Sequence, residues 1–189
     1  TSGNFGGGLL SLIDNENKPT LLQAKGKTTI STTGVYAPGA EAFQHGARLG
    51  ASGLDVNTTG FLSYGAYAHG GDVVVNESSF VTEGALAFGL VAEGATASLS
   101  ATNVQVTTRG VGAAGALSEA GAQVQVNDSN VAASGQGAAG LLASGTDSRL
   151  DAARVQVHTT GGALDARAAN GVEAQFGANL SVTGESTVQ

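Results

Sequence analysis

With 189 residues, 41% of them hydrophobic, and a net charge of −7, the chain is long enough to bury a sizeable core and too acidic to favour a nucleic-acid backbone as partner. Glycine (30) and alanine (32) make up a third of it, aromatics only 5%, and Cys, Met and Trp are absent. That excludes a disulfide framework and thiol chemistry and predicts a narrow, repetitive interior of small side chains. No apolar stretch reaches the ~18 residues of a membrane helix, and there is no initiator Met, signal peptide or polybasic run, so a soluble piece that begins mid-protein or after processing is expected.

Segment 1–27 carries the repeat poorly. Gly6-Gly7-Gly8 leads into Leu9-Leu10-Ser11-Leu12-Ile13, and the turn Asp14-Asn15-Glu16-Asn17-Lys18-Pro19 follows. Segments 9–13 and 20–24 read as strands of an incomplete or capping first coil. Asp14, Asn15 and Glu16 lack the glycine-aspartate spacing of a calcium loop and read as a solvated bend.

From residue 28 onward a period emerges. A polar pair closing on glycine recurs at Thr32-Thr33-Gly34, Thr58-Thr59-Gly60, Thr82-Glu83-Gly84, Thr108-Arg109-Gly110, Ala133-Ser134-Gly135, Thr159-Thr160-Gly161 and Thr183-Gly184, at intervals of 26, 24, 26, 25, 26 and 23. Two more series run in phase: Gly39, Gly65, Gly89, Gly115 and Gly140, with Ala166 in the sixth unit, and Gly46, Gly70, Gly94, Gly121, Gly145 and Gly171. Glycine at these corners is expected to supply positive φ and tight bends.

Between the glycines, apolar and polar residues alternate as along strands with one buried face. Each unit holds three such segments, for example Ala66-x-Ala68, Val73-x-Val75 and Phe80-x-Thr82; in the final unit Ala174-x-Phe176 reads as the middle segment and Leu180-x-Val182 as the last. No window keeps the period of a helix, and a unit this short cannot supply a propeller blade, which takes about 40 residues. One strand triplet cannot bury its own inner face, but stacked units can. The predicted fold is all-β: a right-handed parallel β-helix of about seven coils, with three short strands and about 25 residues per coil, roughly 34 Å long. The chain stops inside a unit without a polar cap, so the rod is expected to continue past Gln189.

Chemistry-bearing residues are sparse. His45 and His69 each precede a mid-unit glycine and are placed to stack on adjacent coils, but two imidazoles with no third ligand make no zinc site; His158 falls elsewhere, and no metal or cofactor is predicted. Asp128, Asp151 and Glu173, with Arg149 and Arg154 near Asp151, are the one carboxylate set that a hydrolytic groove could use. The motifs Leu150-Asp151-Ala152-Ala153-Arg154 and Leu164-Asp165-Ala166-Arg167 read more simply as exposed ion pairs. The paired threonines are adjacent, so their hydroxyls point to opposite faces; they read as a ladder supporting a bend rather than an ice-binding array. The outward position of the first strand runs Glu41, Tyr67, Val91, Leu117, Leu142 and Ala168. From Tyr67 to Leu142 this predicts an exposed apolar stripe over four coils, with Tyr64 and Phe88 at its edge, a candidate for flat contact with a protein, a glycan or a sister rod.

Segments such as Gly137-Ala138-Ala139-Gly140-Leu141-Leu142-Ala143-Ser144-Gly145, then Ser148-Arg149-Leu150 and Val155-Gln156-Val157-His158-Thr159-Thr160-Gly161, resemble the passenger regions of Gram-negative autotransporters of the pertactin-like branch. The resemblance covers 34–189 and rests on repeat grammar, and the lack of Cys agrees with it. It implies a secreted or outer-membrane-surface stalk or adhesin, joined to the membrane only through a C-terminal β-barrel outside this sequence; since no residue set gives positive evidence of catalysis, no enzymatic activity is expected. The implied partners are a host-surface protein or glycan, or a second copy of the chain. A carbohydrate-active β-helix enzyme, a polysaccharide lyase or glycoside hydrolase, is the alternative.

Overall fold

Alternating Val, Leu and Ala with polar residues forces one face of each short segment inward, and glycine- or serine-bearing bends turn the chain before the next segment begins. The computed structural model describes residue 3 and residues 6–13, 18–164 and 168–189. The first coil holds β1 (Leu9–Leu12), β2 (Thr20–Ala24) and β3 (Thr28–Thr32). The second holds β4 (Ala40–Phe43), β5 (Ala47–Ser52) and β6 (Leu54–Thr58). The third holds β7 (Ala66–His69), β8 (Asp72–Asn76) and β9 (Ser79–Thr82). The fourth holds β10 (Leu90–Glu93), β11 (Ser98–Thr102) and β12 (Gln105–Thr108). The fifth holds β13 (Ala114–Glu119), β14 (Gln123–Asn127) and β15 (Asn130–Ala133). The sixth holds β16 (Ala139–Ser144), β17 (Arg149–Ala153) and β18 (Gln156–Thr159), and the seventh β19 (Asn170–Gln175), β20 (Asn179–Thr183) and β21 (Thr187–Val188).

Every third strand pairs in parallel with the next, giving three seven-stranded sheets and a parallel β-helix. The interior is a set of columns in register. Leu49, Val73, Leu99, Val124 and Leu150 stack in the second sheet, and Ile30, Val56, Phe80, Val106, Val131 and Val157 in the third. All of them are buried. The threonine ladder is present over three coils: Thr32, Thr58 and Thr82 point inward and donate to the carbonyls of Ala37, Ser63 and Ala87 at 2.6–2.7 Å, closing the bend into the first sheet, whereas the hydroxyl of the buried Thr108 in the next coil makes no such bond among the described residues. Ser78, Ser129 and Ser186 accept from the backbone N–H of Leu54, Val104 and Val155 at 3.1 Å, so polar groups left over between sheets are bonded.

Two of the three glycine series serve a purpose different from the expected one. Gly34 to Gly161 of the first series, and Gly39, Gly65, Gly89, Gly115 and Gly140 of the second, have no positive φ, Gly184 (φ 69°) being the exception; they are small because there is no room. A Cβ on Gly60, Gly84, Gly110, Gly135 or Gly161 would collide with the carbonyl of the glycine one coil earlier. A Cβ on Gly39, Gly65, Gly89, Gly115 or Gly140 would meet the inward side chain of Val56, Phe80, Val106, Val131 or Val157. Only the third series needs the left-handed backbone, as at Gly46 (φ 93°) and Gly94 (φ 99°).

The phase of the last coil also differs. Ala116 aligns with Leu141 and Leu141 with Val172, so the step into the seventh coil is longer than the step before it. Gly171 therefore continues the second series, Val188 packing at its missing Cβ, and Gly177 (φ 81°) continues the third. Ala174 belongs to the first sheet and Leu180 to the second, each one sheet earlier than the glycine spacing suggested. The extra residues fall between β18 and β19, and Ala166 lies outside the described residues. The step out of the first coil is equally long, Leu9 pairing with Ala40. Its three strands join the three sheets in register.

Candidate functional site

The outer face of the first sheet carries two ranks of side chains, because every second residue of a strand points the same way. One rank runs Leu10, Glu41, Tyr67, Val91, Leu117, Leu142 and Glu173, so the seventh position is Glu173 and not Ala168. The stripe predicted there is continuous but not exposed. Val91, Leu117 and Leu142 are 2%, 3% and 4% accessible and form a second small core with Ala114 and Ala139, against which Tyr64, Tyr67 and Phe88 pack. The first sheet is thus buried on both faces over β10, β13 and β16, which is why Leu90-Val91-Ala92 and Ala138-Ala139-Gly140-Leu141-Leu142-Ala143 are unbroken apolar runs.

Toward the earlier coils this second core opens into a groove of about 650 Å³. Its aromatic wall is continuous. Phe88 stacks on Tyr64 at 5.6 Å between centroids, Tyr64 meets Tyr67 edge-on at 4.8 Å, Tyr67 stacks on His69 at 5.1 Å, and His69 meets Phe43 edge-on at 4.8 Å. Leu10, Leu12 and Tyr36, exposed to more than 40%, extend the apolar surface along the rim. Three carboxylates face this surface: Glu41 in the first rank, and Glu93 and Glu119 side by side in the second.

The groove sets unusual protonation. Burial holds the Glu41 carboxyl up at about 7, far above its ordinary 4.5. Burial, and then the neighbouring Glu93, raise Glu119. Tyr64 is pushed up to about 12 by burial first and Glu93 second. Tyr67 is raised further still, by burial and by the 2.5 Å hydrogen bond its hydroxyl donates to Glu93 Oε2. The groove is therefore a partly dry aromatic surface carrying three carboxyls, of which Glu41 and Glu119 hold their protons more tightly than usual.

The other sequence candidates do not meet there. Asp128 sits at the bend after β14, bound through both oxygens by Arg154 of the next coil (2.5 and 2.8 Å), which lowers its pKa. Asp151 faces outward from the second sheet and pairs with Arg149 at 2.5 Å, whereas Glu173 faces outward from the first. Asp128 at a bend, Asp151 on the second sheet and Glu173 on the first do not line one groove, which the hydrolytic alternative would require of them. His45 does not stack on His69 either: the corner at 44–46 is longer than its successor in the next coil, so His69 lies over Phe43 instead. Among the described residues no three acidic or histidine side chains are grouped to hold a metal ion. Asp14, Asn15 and Glu16, and Asp165 and Arg167 of the proposed ion pair, lie outside the described residues.

Glu93, Glu119, Phe43 and the Leu10–Leu12 rim escaped the sequence reading because only one outward position per strand was followed. The residue two places on lies on the same face, and tracking it yields Leu12, Phe43, His69, Glu93 and Glu119 directly. Comparison with protein-family models, with curated proteins and with solved structures gives no match.

Proposed function

We propose that this chain is a length of secreted or surface-displayed passenger stem of the Gram-negative autotransporter kind, and that it attaches to a host surface or to another copy of itself through the first-sheet groove. The observation that carries this is the aromatic and carboxylate groove set on a rod whose three sheets keep register throughout. The Cys-free composition and the glycine grammar support the passenger assignment.

The test is adhesion of beads coated with the purified chain to cell monolayers, and to beads carrying the same chain. Coated beads are expected to adhere above bare ones, and Tyr64→Ser/Tyr67→Ser, or the exposed change Glu119→Arg should the first variant lose its thermal transition, is expected to remove most of that adhesion. Adhesion unaffected by either variant removes the groove from the proposal.

A second reading, a carbohydrate-active enzyme, is favoured by one observation: a carboxyl held near neutrality, Glu41, shares the groove with Glu93 and Glu119. Glycosidic cleavage needs one protonated and one ionised carboxyl, and an aromatic wall stacks on sugar faces. Release of reducing ends from a polysaccharide panel, lost in Glu41→Gln, would establish this reading; no release from any of them eliminates it.

A further inference from the structure

Among the described residues the groove's carboxyls face no lysine or arginine, Glu93 being bonded by the Tyr67 hydroxyl alone. None of Glu41, Glu93 and Glu119 joins an ion pair among the described residues, and no Lys or Arg is among the described residues that line the groove. All four described arginines are engaged elsewhere: Arg48 with Asp72, Arg109 with Glu83, Arg149 with Asp151 and Arg154 with Asp128. Partly desolvated carboxylates beside one another are costly, a cost that protonation or a bound cation relieves, and tyrosine faces attract the same cation through their π-systems.

We infer that the groove docks a lysine- or arginine-bearing segment of a partner protein, its basic heads placed among Glu41, Glu93 and Glu119 and its alkyl stems laid on Tyr64 and Tyr67. This deepens the attachment reading above, on which it rests, by naming the partner's chemistry. The dimensions suit an extended peptide rather than a single amine. Glu41 in β4 and Glu119 in β13 are three strand spacings apart, roughly 14 Å, a span that about four extended residues cover. The chain's net charge of −7 disfavours sulfated, sialylated and phosphorylated partners and steers basic ones toward the groove.

Calorimetric titration of the intact chain tests this with four probes: a capped Leu-Lys-Ser-Gly-Leu-Lys hexapeptide, the same peptide with both lysines acetylated, the same peptide with glutamate in their place, and spermidine. The lysine peptide is expected to bind at least about tenfold more tightly than the acetylated one, to weaken with added salt, and to leave the glutamate peptide and spermidine as the poorest ligands. Glu93→Gln/Glu119→Gln, with its thermal midpoint checked, is expected to lower lysine-peptide affinity roughly tenfold. Equal binding of the lysine and acetyl-lysine peptides, or binding of neither, overturns the cationic assignment. Spermidine binding as tightly as the peptide overturns the partner-protein assignment in favour of a free polyamine. Adhesion that depends on Tyr64 and Tyr67 without lysine-peptide binding sinks this inference and spares the attachment reading; lysine-peptide binding without any adhesion does the reverse.

Discussion

Gly110 has no Cβ at the point where one would run into the carbonyl group of Gly84, and that contact is backbone against backbone. Neither group can rotate away, so Gly110→Ala must pry two coils apart and is expected to cost about 3 kcal/mol or more. Gly50 is the contrast. It sits in β5 with open space where its Cβ would lie and has no positive φ. Gly50→Ala is expected to change stability by no more than about 0.5 kcal/mol, in the stabilising direction, because it restricts only the unfolded chain. Urea midpoints of the two variants check the pair, and equal effects would undo the steric account of the glycine series. Glu41 gives a residue-scale pH dependence. Its folded value near 7 exceeds the ordinary 4.5, so the folded state holds the proton more tightly. The stability linked to it is fully present below about 4.5 and is lost as pH rises through 7. A shift of that size corresponds to at most about 3 kcal/mol, which partial exposure of the carboxyl reduces to roughly 1–2 kcal/mol. Glu41→Gln is therefore expected to flatten the stability profile between about pH 5 and pH 8, measured as urea midpoints at each pH. A parent profile already flat over that window would contradict it.

At the scale of elements, strands β10, β13 and β16 are covered on both faces, which changes what a mutation on the outer side does. Leu117 is 3% accessible and packs with Val91 and Leu142. Leu117→Ala is expected to cost about 2–4 kcal/mol through the cavity it leaves, and Leu117→Glu more, because it buries an unpaired carboxylate. Thermal unfolding of the two variants is the measurement; midpoints indistinguishable from the parent would return this stripe to the solvent. The inner faces were legible in the sequence because alternation and glycine spacing are direct records of the columns, from Leu49 to Leu150 and from Ile30 to Val157. The outer cover was not, since alternation says which side a residue faces and not what lies over it; the unbroken runs Leu90-Val91-Ala92 and Leu141-Leu142-Ala143 carry that information. The last coil was misphased for a related reason. The connection from β18 to β19 is longer than the one before it, so the interval from Gly161 to Gly184 coincides with the period although Gly184 occupies a different bend. Of the groove, Glu41 and Tyr67 lie in the rank that alternation marks, with Tyr64 at its edge, and Glu93 and Glu119 lie in the rank beside it.

On the scale of the whole molecule, a solenoid couples each coil only to its neighbours, so stability is set locally and summed along the rod. The coils differ in what they bury. In the sixth, all six residues of β16 are buried, and β13 beside it has five of six buried; in the seventh, β20 and β21 have no fully buried residue. Both pairs have parallel ladders of ordinary register, so hydrogen bonding does not separate them, and apolar burial does. Local opening of the seventh coil therefore requires far less free energy than opening of the fifth or sixth. Hydrogen exchange read by mass spectrometry is expected to show amides of β20 and β21 exchanging first and those of β13 and β16 last, with β4 and β7 between. Gly110→Ala, placed at the corner before β13, is expected to speed exchange in the fourth, fifth and sixth coils while leaving the first two unchanged. Uniform acceleration from β1 to β21 would mean that the rod opens as a single cooperative unit, and the nearest-neighbour picture would then fail for this chain.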